Sequence, residues 1–267
     1  KTKFLNKLAE EAAKQLITPF YEDAIRPAAK EIGNGLSSVV RMVNRVVFLT
    51  EDAVAAMDQV IRLSAEQLLL LPPDRIIAPD PRIAVPLLED SCLTYGEDEL
   101  RIMFANLLAS SMDRDKTAMV HPMYVQIIRN ISADEARIIG CLAPLGRAPM
   151  IEFIRTQSGD YGSTTESYDE LSNLADLSGC HYPERFQLYV QNLKRLGILT
   201  ISSGTQFCAP NDYDTLEAMP MLDKLRSRNP HLDRETFKHK MFVLTGLGRA
   251  FSNTVVGANV DENITSV

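Results

Sequence analysis

The residue types most able to do chemistry are few and scattered. Four histidines are present, His121, His181, His231 and His239. None lies in an HExxH pair, and neither a GxSxG elbow nor a glycine-rich phosphate loop occurs. Cys180-His181 is the one adjacent Cys/His pair. With Cys208 it could supply three zinc ligands, but a structural zinc site takes four and no fourth is evident. A buried thiol beside an exposed imidazole is the simpler reading. Cys92 and Cys141 complete the set of four cysteines, which lie far apart and form no CxxC pair. They are expected to be free thiols in a reducing compartment.

Carboxylates cluster at Glu97-Asp98-Glu99. Successive residues on a helix point in different directions, so the three cannot converge on one ion. First-turn carboxylates facing the positive end of a helix dipole explain them better. Asp113-Arg114-Asp115-Lys116 reads as a solvated turn in which Arg114 pairs locally. No catalytic residue is assigned, no metal site or cofactor is expected, and the chain is not expected to be an enzyme. Three polar residues stand out as structural ties. His121 precedes a proline at a helix start, which suits a turn or cap. Arg101 and Asn106 lie on an otherwise apolar helix and are expected to tie helix ends together.

The elements that position these groups are mostly helical. Residues 1–17 and 20–49 read as helices, with a break near Gly33-Asn34-Gly35. Thr50 is suited to cap a helix that Pro72-Pro73 stops. Residues 74–81 read as an extended connector, and Asp80-Pro81 as the start of a helix that Pro86 either kinks or begins. The clearest helix is 97–112, whose Leu100, Met103, Phe104, Leu107 and Leu108 fall on one stripe. Another starts at His121-Pro122, and Ser132-Ala133-Asp134-Glu135 has the form of a capping box.

Beyond residue 131 the pattern changes. A helix at 133–143 and a second near Met150–Thr156 are expected, then a loop over 157–167 and a third helix from Tyr168 to Gly179. Pro183 is expected to open a fourth helix, 183–196, ended by Gly197. Ile198–Ile201 and Gln206–Cys208 read as a hairpin, 209–236 as a long polar loop, and Met241–Thr245 as a further strand before a last helix. The fold class is therefore mainly α. An N-terminal helical bundle, 1–131, is followed by a winged-helix-like α+β domain, 132–267. In a winged helix the helix before the hairpin is the one that enters a DNA groove.

Charge then weighs on the partner. The chain carries a net charge of -7, and residues 132–267 a net of -4. Broad nucleic-acid binding rests on neutralising phosphates, so this balance disfavours it. Arg185, Lys194 and Arg195 are nevertheless the residues that helix 183–196 would use for nucleic-acid or partner contact. Lys224, Arg226, Arg228, Arg234, Lys238 and Lys240 form a second basic stretch, read as solvated surface. Leu36–Leu49 is too short and too charged to span a bilayer, and a membrane surface is disfavoured. A protein partner or a homo-oligomer is favoured.

Several stretches together resemble the Abi-alpha family, bacterial proteins named for a putative role in abortive infection. They are Pro81-Arg82-Ile83-Ala84-Val85-Pro86-Leu87-Leu88-Glu89 and Leu100-Arg101-Ile102-Met103-Phe104-Ala105-Asn106-Leu107-Leu108-Ala109-Ser110-Ser111-Met112. With them go His121-Pro122-Met123-Tyr124-Val125-Gln126-Ile127-Ile128 and Leu244-Thr245-Gly246-Leu247-Gly248-Arg249-Ala250-Phe251. The resemblance spans roughly residues 72–251. It implies a bacterial or phage-borne cytoplasmic protein with a role in phage defence, and carries over no catalytic residue. The expected function is a non-enzymatic effector or sensor acting through macromolecular contacts. A winged-helix DNA-binding regulator, and a membrane-acting toxin or enzyme with an unrecognised site, are the alternatives.

Overall fold

The computed structural model describes residues 51–94, 96–159, 162–202 and 210–256. The expected helices in 1–49, Thr50 as a cap, the strand at Gln206–Cys208 and the end of the chain past 257 lie outside those residues. The chain divides between Ala136 and Arg137, and again between Arg249 and Ala250, into two compact units.

The first unit is helical. Helix α1 is Glu51–Leu68, α2 Pro81–Ser91, α3 Asp98–Ser111 and α4 Met123–Arg129. A 3-10 turn, Pro73–Arg75, follows α1 where the paired prolines stop it. Asp80 caps α2 by accepting the Arg82 backbone N–H at 2.8 Å, and Pro81 fills the first position. Pro86 sits inside α2, so the helix begins at Pro81 and runs through that proline. Packing on the following helices compensates for the backbone bond Pro86 cannot make. Ile83, Ala84, Leu87 and Leu88 are buried, and α2 packs against α1, α3 and α4. Helix α3 is the centre of this unit. Eleven of its fourteen residues are buried, from Leu100 and Arg101 through Met103–Ser111.

The second unit is built on a sheet. Helix α5, Ala133–Leu142, leads into it. Its Ser132/Glu135 capping box is formed, with the Ser132 N–H donating to Glu135 Oε2 at 2.7 Å and the Glu135 N–H to Ser132 Oγ at 3.3 Å. Strand β1 is Arg147–Gly159 and β2 Gly162–Leu171. Short helix α6, Leu174–Leu177, ends at Gly179, whose φ of +66° suits glycine. A 3-10 turn, Pro183–Arg185, runs into α7, Phe186–Arg195. Strand β3 is Leu199–Ser202, followed by α8, Pro210–Glu217, α9, Pro220–Arg228, β4, Arg234–Leu244, and α10, Gly246–Val255. The four strands pair antiparallel in the order β2-β1-β4-β3.

Two expectations are overturned here. Residues 147–171 form a long hairpin, not two helices and a loop. The segment 209–236 contains two helices rather than one polar loop, so the basic stretch from Lys224 to Lys240 lies on α9 and β4. Strand β3 pairs with β4, Leu199 opposite Leu244, while the expected partner Gln206–Cys208 lies outside the described residues. The chain is mainly α, with one four-stranded antiparallel sheet among the described residues.

The core of the second unit lies between one sheet face and helices α8 and α9. Ile151, Phe153 and Leu171 pack there with Tyr213, Leu216, Leu222 and Leu225. Phe153 stacks on Phe237 at 5.0 Å between ring centroids. Arg155, 4% exposed, reaches over this core from β1. Its guanidinium donates to the carbonyls of Leu225, Arg226, Asn229 and Leu232 and so fastens the end of α9 to the sheet.

Candidate interaction surface

Helix α7 is amphipathic. Phe186, Tyr189, Val190 and Leu193 face inward, and Phe186 meets Phe242 of β4 edge-on at 5.8 Å. That leaves Gln187, Leu188, Gln191, Lys194 and Arg195 exposed, with Glu184 and Arg185 just before them. Leu188 is 62% exposed, between the buried Phe186 and Tyr189. Leu177 and Tyr182, in the segment leading into α7, are also large and exposed.

All three cations expected on this helix are present on its surface, and each has a local partner. The Arg185 guanidinium lies over the Tyr182 ring, 4.6 Å from its centroid. Lys194 Nζ donates to Glu170 Oε1 at 2.5 Å. Arg195 donates from Nε and Nη2 to Asn192 Oδ1 at 3.1 and 2.7 Å. Glu170 reaches Lys194 from the end of β2, where its φ of 60° marks a distorted strand end. The surface of α7 is thus a row of mixed character, with apolar, amide and charged groups in reach of one partner.

The other expected polar residues tie the first unit together. Asn106 accepts from Gln67 Nε2 at 2.5 Å and donates to the Val255 carbonyl at 2.6 Å, one of the last carbonyls of α10 that lack helical partners. Arg101 is 7% exposed; it donates to the Thr94 carbonyl at 2.7 Å and pairs with Asp98. His121 Nδ1 accepts the Met123 backbone N–H at 3.1 Å, at the first turn of α4. Asp113 departs from its expected solvated turn. It is 2% exposed and is held by Arg75, with Nη2 donating to Oδ2 at 2.6 Å. Cys92 is buried, which pushes its thiol up to about 11, so it is a poor nucleophile.

Two polar clusters of the second unit escaped the sequence reading because their members come from separate strands and helices. Glu152 of β1 accepts from Lys240 at 2.6 Å, Lys238 at 3.2 Å and Ser167 at 3.1 Å. The Lys240 hydrogen bond, helped by Lys238 and Ser167 against the opposing effect of burial, holds its carboxyl at about 2. His239 meets Glu217 at 2.6 Å and stacks on Tyr213 at 4.1 Å. Among the described residues no group of three His, Cys, Asp or Glu side chains could hold a metal ion. Cys180 and His181 are partly or fully exposed, and Cys208 lies outside the described residues. Among the described residues no helix is long and apolar enough to cross a membrane.

The family model described as abortive infection alpha matches residues 51–255. The chain belongs to that family. No curated protein matches. A solved structure described as an uncharacterized protein from the hydrocarbon-degrading marine bacterium Alcanivorax borkumensis SK2 is similar at 17% identity. That similarity covers 54% of this chain and 96% of the other, with a TM-score of 0.34. The stretches quoted for the Abi-alpha resemblance all fall inside the matched range. They are mostly core positions of α2, α3, α4 and α10, which is why the family was legible while its site was not.

Proposed function

We propose that this abortive-infection family member is a non-enzymatic effector or sensor of phage defence that acts by macromolecular contact through the outward face of α7. The observation that carries this reading is Leu188, 62% exposed in the middle of a helix whose other large apolar residues are buried. Exposed tyrosine beside arginine, as at Tyr182 and Arg185, is a composition enriched in protein-contact surfaces. Lys194 is ion-paired with Glu170, whereas the Tyr182 ring and the Asn192 amide leave Arg185 and Arg195 charged, so it is the acidic balance of the chain that weighs against a polyanion. A bacterial cytoplasmic location fits this reading.

A second reading has its own support. The order α5, β1, α6, α7, β3, β4, with β4 between β1 and β3, is that expected of a winged helix, with β2 and α8–α9 inserted. In that arrangement α7 is the groove-reading helix of a DNA-binding regulator. Fluorescence anisotropy with duplex DNA across a salt series separates the readings. Contact with protein predicts no salt-dependent binding, and equal behaviour when Arg185 and Arg195 are changed to Glu. A steep salt slope that flattens in those variants would establish the DNA reading instead. Phage challenge of cells expressing the same variants tests the shared claim: both readings require loss of protection.

A further inference from the structure

Four exposed residues on and just before α7 form one stripe: Glu184, Leu188, Gln191 and Arg195. Leu188, Gln191 and Arg195 recur every three or four positions on the side of α7 opposite the buried Phe186, Tyr189, Val190 and Leu193, and Glu184 is exposed four positions earlier in the preceding 3-10 turn. The stripe has a particular symmetry. Its two ends carry opposite charge and its centre carries one leucine and one amide. If a second α7 is laid against it antiparallel, Glu184 falls opposite Arg195 of the other copy, and Leu188 opposite Gln191. Both pairings occur in the same register, and the two-fold axis repeats each of them. No charge in the stripe meets its like.

We infer that α7 docks against α7 of a second copy of this chain, making an isologous antiparallel dimer. This rests on the reading of α7 as the contact surface and names its occupant. Self-complementarity of one patch is what a two-fold interface demands. Arg195 is prepared for the role. Asn192 uses Nε and Nη2, which leaves Nη1 of the guanidinium for a carboxylate. Glu184 is exposed and so open to a partner from outside. Lys194 lies to the side, held at Glu170, and so does not confront Arg185 of the other copy.

The test is sedimentation equilibrium of the full chain over a concentration series, with circular dichroism to confirm folding. The wild type is expected to pass from monomer to dimer as concentration rises, and less readily at high salt, where ion pairs are screened. Leu188→Asp, Glu184→Arg and Arg195→Glu are each expected to remain folded and monomeric. Combining Glu184→Arg with Arg195→Glu restores opposite charges in the same register and is expected to restore the dimer. A monomeric wild type at all concentrations would overturn the proposal. So would a dimer indifferent to the single changes, or folded double-variant protein that stays monomeric. Phage protection by the same variants keeps the two levels apart. Lost protection in the single variants with a monomeric wild type would retain α7 as a contact surface and remove the second copy as its occupant. Protection untouched by every variant would remove the contact surface itself.

Discussion

A methyl group on Gly248 would sit 2.2 Å from the carbonyl oxygen of Ile198, a distance no carbon tolerates. The neighbour is backbone at the start of β3, so it cannot swing aside. Thr245 fixes the approach by donating to the Gly197 carbonyl at 2.5 Å and accepting the Gly248 N–H at 2.9 Å. Gly248→Ala is therefore expected to destabilise the protein by about 1–3 kcal/mol, as overpacking does. Gly140, inside α5, has nothing within 4 Å of a Cβ and an ordinary backbone. Gly140→Ala is expected to stabilise by up to about 1 kcal/mol through helix propensity. Denaturant melts of the two variants side by side check both signs. Glu152 gives a pH prediction at the same scale. Its carboxyl falls from an ordinary 4.5 to about 2, chiefly through Lys240. A depressed carboxylate contributes stability that is full above the unfolded value and is lost as pH falls through the folded one. Melting temperature should thus decline between about pH 4.5 and pH 2, and the decline should be shallower in Glu152→Gln. An equal slope in both proteins would show that Glu152 is not the group responsible.

Elements were legible where one face is buried and the other wet. Helices α2 and α7 carry apolar residues at helical spacing, and Asp80-Pro81 and the Ser132/Glu135 box mark two starts; α3, buried nearly all round, showed itself by the helical spacing of its largest apolar residues. Strand β1 hid because it is buried on both faces. Met150, Ile151 and Phe153 are each 0% exposed and Glu152 and Arg155 nearly so, which leaves no alternation to read. Strand β2 hid for the opposite reason: as an edge it is polar, with Thr164, Thr165, Glu166 and Asp169. Helices α8 and α9 are short, and Leu216, Leu222 and Leu225 bury against β1 without a long period of their own. What joins them to the sheet is Arg155, whose role depends on contacts seventy residues away in the chain and which no local pattern could announce. Arg155→Met removes donors from several buried carbonyls, each of which costs about 1–3 kcal/mol when left unpaired. Hydrogen exchange should show lost protection over 225–232, with the first unit unchanged. Uniform loss across the chain would mean that Arg155 supports the whole fold instead.

For the whole molecule, the family assignment and the surface of α7 carry different weights of information. The core positions of α2, α3, α4 and α10 identify the abortive infection alpha family, because packing constrains them. The contact surface depends on what faces solvent, and Leu188 becomes conspicuous only once its neighbours Tyr189 and Val190 are seen to be buried. Arg185, Lys194 and Arg195 were legible as exposed cations, but their engagement with Tyr182, Glu170 and Asn192 was not. If contact through this face is how the protein works, one surface change should abolish function without touching the fold. The measurement is phage plating efficiency on cells expressing the wild type or Leu188→Asp at equal levels, with purified protein melted in parallel. The account predicts an unchanged melting temperature and phage plating restored to that of unprotected cells. Full protection by a folded Leu188→Asp protein would contradict it.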